Sequence, residues 1–271
     1  MRGPVIEIVA IGNELLIGKT LDTNSHWLAK QVTRLGGELR QVTTVRDKHE
    51  DIARAVGSAI SRRPDFLLTL GGLGPTHDDI TLSSISKLLK RRLALNRAAL
   101  DLLRRRYVER FGPKVKLTPP RLKMARFPDG AVPLPNPIGT APAPCLRIGR
   151  LTMIALPGVP IEMRAIFTQS VATMIKGFGG SRHFYDRSLI LLGIPESALS
   201  PIIDQVMARS QSVYIKSHPR GIERTGKARI ELHFQVIATS EKKAKVQLAQ
   251  AVKITKRKLR GRAIVRDTHR G

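Results

Sequence analysis

The stretch Leu67–Thr81, LLTLGGLGPTHDDIT, sets two opposed kinds of chemistry side by side. An apolar strand runs into Gly71 and Gly72, and Gly74 follows after one residue. Glycines let a backbone turn tightly and approach a ligand without side chains in the way. Exposed amides near the start of the next helix then favour an anion such as phosphate. Asp78 and Asp79 come next, and alone they would repel that anion. Their presence implies a divalent cation, or general-base work, between carboxylate and phosphate. The plain alternative is a Gly-Pro turn followed by acidic residues at a helix start.

Two other strand ends weigh on the choice. Glu14, Asp22, Thr23 and Asn24 follow the first strand, after Gly12. Pro157 and Gly158 follow a later one, with Pro160 near a helix start and Glu162 in its first turn. If these strands are parallel, the three loops meet at the carboxyl edge of one sheet, where α/β folds bind ligands. Asp47, just after the second strand, faces the same edge. A rival motif fails here. Gly12–Thr20, GNELLIGKT, has five residues between its first glycine and Gly-Lys-Thr, and a phosphate-binding P-loop needs four. Glu14 would also put negative charge inside that cradle.

The elements that must position these residues read as strands alternating with helices. Pro4–Gly12, Glu38–Val45, Asp65–Leu70 and Leu151–Leu156 are apolar, β-branched strand candidates. Asn24–Leu35, Glu50–Arg62, a segment ending near Leu89, Asn96–Phe111 and Pro160 to about Lys176 have helical periodicity. Alternation of this kind predicts an α/β layer structure with a mostly parallel sheet. Lys116–Pro144 is proline-rich and is expected to wrap the sheet irregularly. Gly177–Gly180, GFGG, is the linker candidate. Beyond it, strands at Ser188–Gly193, Ser212–Ser217 and Ala228–Thr239 and helices at Glu196–Arg209 and Glu241–Leu259 predict a small α+β domain. The expected domains are 1–176 and 181–262, followed by a basic tail, 263–271.

Composition bounds the functions available. The 271 residues carry 47 Lys+Arg against 21 Asp+Glu, a formal net charge of +26. Residues 91–126 hold twelve basic and two acidic side chains, and residues 241–271 eleven against two. Such a field attracts polyanions weakly and without sequence preference, although a solvated basic surface explains it as simply. One cysteine, Cys145, allows neither an internal disulfide nor a cysteine-based zinc site. No apolar run reaches the ~18 residues of a membrane span, and the start lacks an extended apolar signal segment, so the cytoplasm is expected. His77 is read as solvent-facing, Trp27 as packing, Cys145 as core. His183, His218, His233 and His269 are too scattered for a ligand set.

GNELLIG, DTN, GGLGPTHDDIT, NPIGTAP and LPGVPIEM, in this order, resemble the N-terminal domain of the competence-damage-inducible CinA family, within the MogA/MoaB-like molybdopterin-binding superfamily. The resemblance spans about Val5–Phe167. It implies a MogA-like three-layer α/β/α domain, a following KH-like domain, and a homo-oligomer, dimer or trimer. It also implies nucleotide pyrophosphatase chemistry on ADP-ribose with a divalent metal, Mg, Mn, Co and Ni not being distinguished. Asp47 and Asp79 take the catalytic places, with Asp78 beside them as a metal ligand. Gly12, Glu14, Asp22, Asn24, Gly71, Gly72, Gly74, Thr76, Thr81, Gly139, Thr140, Pro157 and Gly158 form the substrate side. In the wider superfamily the same turn binds molybdopterin or its adenylylated form, so a pterin ligand is the alternative, and a non-enzymatic nucleotide or nucleic-acid binder a third. The family's deamidase domain has no counterpart in these residues. Ala143 stands where the family usually has glycine after GTAP. The second domain lacks the GxxG clamp of a nucleic-acid-binding KH fold around Gly221, which leaves Lys242–Arg260 as an electrostatic site only.

Overall fold

Seven consecutive residues, Val5–Ile11, form strand β1, and every one is buried. A strand buried on both faces must lie inside a sheet with helices on either side. That is the arrangement of the first of two compact units, Met1–Gly180 and Ser181–Gly271, in the computed structural model, which describes residues 3–179, 183–210, 212–222 and 226–267. After β1 come a one-turn helix α1 (Asn13–Leu16), α2 (Thr23–Arg34), β2 (Glu38–Val45), α3 (His49–Ser61) and β3 (Phe66–Leu70). Then follow α4 (Thr81–Leu88), β4 (Leu93–Leu95), α5 (Arg97–Phe111), α6 (Pro119–Lys123), β5 (Arg126–Pro128), β6 (Val132–Leu134), β7 (Ala143–Ile148) and β8 (Leu151–Leu156). Helix α7 (Pro160–Ile166) passes through a π-helical turn, Phe167–Val171, into α8 (Ala172–Gly179).

The main sheet has the order β2-β1-β3-β8-β7-β6. β2, β1, β3 and β8 are parallel; β7 pairs antiparallel with β8, and the edge strand β6 pairs antiparallel with β7. Side chains alternate across it. Val9, Ile11 and Leu67 pack with Ile52, Val56, Ile85 and Leu103 from α3, α4 and α5. Ile6, Ile8, Leu68 and Leu70 pack with Leu28, Val32, Met163 and Ile166 from α2 and α7. The expected three-layer α/β/α fold with a mostly parallel sheet is therefore present. Removing any one of these fully buried aliphatic side chains costs about 2–5 kcal/mol.

Two expectations in this unit need correction. Lys116–Pro144 is not merely irregular: it contributes α6, β5, β6 and the start of β7. Pro128, Pro133 and Pro144 disguised these strands, yet proline is tolerated where a strand is short or at an edge. The proposed linker is helical through Gly179, and only Gly180 lies outside the described residues. Glycine weakens a helix by about 1 kcal/mol. Here Phe178 meets Phe66 edge-on, with centroids 5.7 Å apart, and tertiary packing overrides propensity.

The second unit comprises β9 (His183–Leu192), α9 (Glu196–Arg209), β10 (Val213–Ile222), β11 (Ala228–Ala238), α10 (Glu241–Leu259) and β12 (Ile264–Asp267). Its sheet is antiparallel throughout, in the order β10-β11-β9-β12. Leu189, Leu191, Leu232 and Phe234 on one face bury against Leu199, Val206, Leu248 and Val252 of the two helices. The expected β-α-β-β-α unit thus gains a strand, because the segment taken for the start of a basic tail pairs with β9. The resulting β-α-β-β-α-β order is that of a split βαβ unit, where the resemblance implied a KH-like one. Residues 223 and 224, next to the turn at Gly221, lie outside the described residues.

Inside the first unit one buried carboxylate is held by partly exposed guanidinium groups. Glu7 on β1 is 1% exposed, and the Arg62 guanidinium at the end of α3 binds both its carboxylate oxygens at 2.6–3.0 Å. This pair ties α3 to the centre of the sheet and holds the Arg62 pKa above its ordinary value. Removing only the Arg62 guanidinium leaves the buried carboxylate with the more distant Arg40, at 3.8 Å, as its counter-ion. Because Arg62 is a third exposed and Arg40 remains, Arg62→Met is expected to cost about 1.5 kcal/mol in urea unfolding, while the double variant Glu7→Leu/Arg62→Met recovers most of it. An unchanged midpoint in the single variant would contradict this reading.

Candidate functional site

From β1 the chain crosses to β2 on one side and then to β3 on the other, so the connections diverge at the carboxyl ends of β1 and β3. A crevice opens at such a switch point. Its walls are pinned by main-chain bonds across the strand ends. Gly12 N donates to Val45 O at 3.0 Å, and Gly71 N donates to Leu156 O at 3.0 Å. Gly71 has φ +97, and a Cβ there would lie 2.4 Å from the Ile11 carbonyl oxygen. Gly72 has φ +68, and its Cβ would lie 2.1 Å from the Thr81 hydroxyl. That hydroxyl donates to Gly71 O at 2.9 Å and is wholly buried. Thr81 therefore holds the turn from behind and is not placed to touch a ligand.

The crevice is a cavity of about 420 Å³, within the usual range for a small-molecule site. Gly12, Glu14, Asp47, Gly71, Gly72, Gly74, Asp78, Asp79, Thr140, Pro157 and Gly158 line it, so the structure brings these predicted residues together. Five carboxylates face it, those of Glu14, Asp47, Asp78, Asp79 and Glu162, and no Lys or Arg is among its described lining residues. A larger hollow, about 500 Å³, lies between α9 and β10, but it has no glycine turn and only Glu196 and Asp204 as carboxylates.

The aspartates are held by the loops they serve. Asp47 Oδ2 accepts the Asn13 amide at 2.8 Å, which fastens the β2 loop to α1. Asp79 Oδ2 accepts the Thr76 amide at 2.9 Å and lies 2.5 Å from its hydroxyl. The same hydroxyl is 2.5 Å from Asp78 Oδ1. One hydroxyl has one proton, so Thr76 can donate to only one of them at a time. Its hydrogen bond is the main reason the Asp78 carboxyl is held below the usual carboxylate range, with His77 and Lys123 adding to it. A carboxylate so held stays ionised when the pH drops. Lys123 Nζ donates to the Thr76 carbonyl and caps the loop from outside. The second oxygens of Asp47 and Asp79 make no hydrogen bond among the described residues.

The wall opposite the glycines was only partly foreseen. Asn136 is 4% exposed; its Nδ2 donates to Glu162 Oε2 at 2.8 Å, and its Oδ1 accepts from Gly139 N at 2.8 Å. A Cβ at Gly139 would lie 2.1 Å from Glu162 Oε2, so a side chain there would push the Glu162 carboxylate away from its present place. Arg106 of α5 grips this loop through the Gly139 and Pro137 carbonyls. Gly139 thus shapes the wall without lining it. Glu162 was visible only as an acidic residue in a helical first turn, a place that the helix dipole explains by itself. Asn136 opens the NPIGTAP stretch and turns its loop through Ile138, Gly139 and Ala141, but its bond to Glu162, 26 residues away, gave no local signal.

Two predicted contacts stand elsewhere. Asp22 caps α2 by accepting the Ser25 amide at 2.8 Å, and Asn24 Nδ2 donates to Gly158 O at 2.7 Å. Neither lines the cavity; both brace the loops beside it. His77 is almost fully exposed, and Trp27 packs edge-on against Phe167 with centroids 5.4 Å apart. Cys145 is half-buried, and burial pushes its thiol pKa up.

Comparison with known proteins follows this geometry. Residues 7–177 match the probable molybdopterin binding domain family, and that span includes every loop of the cavity. A protein of Pyrobaculum calidifontis is 40% identical over 250 residues, 92% of this chain and 94% of its own length. One from Aeropyrum pernix is 39% identical over 250 residues, again 92% of this chain and 91% of its own. Among solved structures, the protein CinA with unknown function from Thermoplasma acidophilum is 34% identical with a TM-score of 0.59, covering 64% of this chain and 98% of that one. Among the described residues no helix is long and apolar enough to cross a membrane. With the match extending over more than half its length, the chain belongs to the probable molybdopterin-binding domain family.

Proposed function

We propose that the cavity binds the diphosphate of a nucleotide such as ADP-ribose together with a divalent cation and hydrolyses the phosphoanhydride. The observation that carries this reading is the charge of the lining: five carboxylates and no described Lys or Arg around a turn of glycine backbone. A diphosphate cannot enter such a site alone. No three His, Cys, Asp or Glu side chains converge as a protein-only metal cage among the described residues. The fit is instead that of an ion such as Mg²⁺, which takes one or two carboxylates and completes its shell with water and phosphate. Asp47 suits it, with one oxygen fastened to a loop amide and the other turned to the cavity, and Asp78 stands beside it. Bound there, such an ion neutralises the bridging phosphates and lowers the pKa of the attacking water.

The chain's own residues do the rest. The amides of Gly72 and Gly74 hold phosphate oxygens, because no side chain stands between backbone and ligand, while Gly71, whose amide is bonded to Leu156, sets the turn. Asp79 accepts a proton from the water through the oxygen that Thr76 leaves unengaged. The water oxygen bonds to phosphorus, the bridging P–O bond breaks, and the two products leave as phosphomonoesters. Pro157, Gly158 and Thr140 close the far side. The family match supports a pterin ligand comparably well, since molybdopterin also presents phosphate to a glycine turn; in that case the same residues bind and orient without hydrolysis.

Purified protein is expected to release AMP from ADP-ribose with Mg, Mn, Co or Ni and not in excess chelator. Mass spectrometry showing intact ADP-ribose with all four, and a thermal shift with molybdopterin alone, would move the assignment to the pterin reading. Asp79→Asn keeps the shape of the loop and loses the charge. Turnover should fall by at least about 10²-fold with an unchanged circular dichroism spectrum, the usual scale for a lost general base; wild-type turnover would remove Asp79 from the mechanism. Gly72→Ala should abolish ligand binding as well as turnover, since both φ and the Thr81 hydroxyl oppose a side chain there. Retained affinity by calorimetry would show that the turn is not the phosphate seat.

A further inference from the structure

We infer that the basic face built by α5 and α6 binds single-stranded nucleic acid, with a base stacked on Phe111. The charge is the first observation. Twelve basic and two acidic residues lie between 91 and 126, and the only ion pair among the described residues there is Arg106–Glu109. Arg97, Arg104, Arg105, Arg110, Lys114 and Lys116 are exposed and carry no ion pair among the described residues. Charge left uncompensated over one helix and its following loop attracts a polyanion.

The second observation selects the kind of polyanion. Phe111 ends α5 with 56% of its surface exposed. Its ring stacks on Tyr107, centroids 5.6 Å apart and 26° from parallel. The Arg121 guanidinium lies 4.6 Å from the Tyr107 centroid and 5.8 Å from that of Phe111, and Arg110 lies 5.7 Å from Phe111. An exposed ring already braced by guanidinium groups offers a flat surface that phosphate alone does not use. Unpaired bases use it well, because every base has a π-face and stacking tolerates any sequence. In a duplex those faces are covered by neighbouring bases.

The third observation is position. Arg121 and Lys123 belong to the same short helix, and Lys123 donates to the Thr76 carbonyl of the glycine turn while Met124 lines the cavity. A strand on this face therefore runs beside the mouth of the cavity.

The test is fluorescence anisotropy of the full chain with a labelled dT oligonucleotide of about twelve nucleotides and, separately, with long-chain polyphosphate, at low and high salt. Phe111→Ala and Phe111→Leu should weaken the oligonucleotide by roughly fivefold or more and leave polyphosphate unchanged, the scale of one lost base stack. Lys114→Gln/Lys116→Gln should weaken both and flatten the salt dependence by about 0.7 in log K per log salt for each lost contact. Oligonucleotide binding indifferent to both Phe111 variants, or lost only through substitutions in α10, overturns the inference. Acidic lipid vesicles that respond to Phe111 as strongly as the oligonucleotide overturn it too, in favour of a membrane surface.

Discussion

The contact on which the site depends is the approach of Gly71 to the end of β1. Only a glycine can turn with φ +97 while its Cα passes this close to the Ile11 carbonyl. That approach lets β3 end level with β1, so the amides after Gly71 face the space that the diverging connections leave open. Thr81 secures the turn from beneath, and Leu156 and Val45 secure the strand ends at either side. The two buried clusters that clamp the sheet make the geometry stiff. A ligand thus meets a preformed surface, and little ordering cost remains to oppose its binding.

Around that turn the chain reverses its own electrostatics. With a net charge of +26, the molecule still lines its cavity with carboxylates. Several of these also serve the loops: Asp47 fastens α1, Asp79 fastens Thr76, and Glu162 is held by Asn136. Truncating one of them to alanine therefore changes loop geometry as well as charge, whereas the isosteric amide changes charge alone. The surrounding positive field raises the local concentration of anionic ligands, and the acidic lining admits them only in company with a cation.

Much of this was legible in the sequence where the causes are local. β1, β3 and β8 announced themselves because a buried parallel strand is a short, unbroken apolar run, and the glycine turn because its spacing has few other uses. What was missed depended on distant partners. The start of β7 reads as a proline-rich loop until Ala143 and Pro144 pair with β6, and β12 reads as charged tail until Val265 pairs with Leu191. Asn136 and Glu162 meet across the fold, and neither carries a periodic signal. Asp22, Asn24 and Thr81 misled in the opposite sense: their side chains suit a ligand, but a helix cap, a carbonyl and a turn claim them first.

The central claim is that phosphate and cation enter this cavity together. Calorimetric titration of ADP into the protein, with Mg²⁺ present and then with chelator, measures that coupling directly, because linkage makes each ligand raise the affinity of the other by the same factor. The account predicts ADP affinity at least about tenfold higher with Mg²⁺ (after correction for Mg²⁺ bound by ADP in solution), a coupling of about 1.4 kcal/mol. Equal affinity with and without the cation would contradict it.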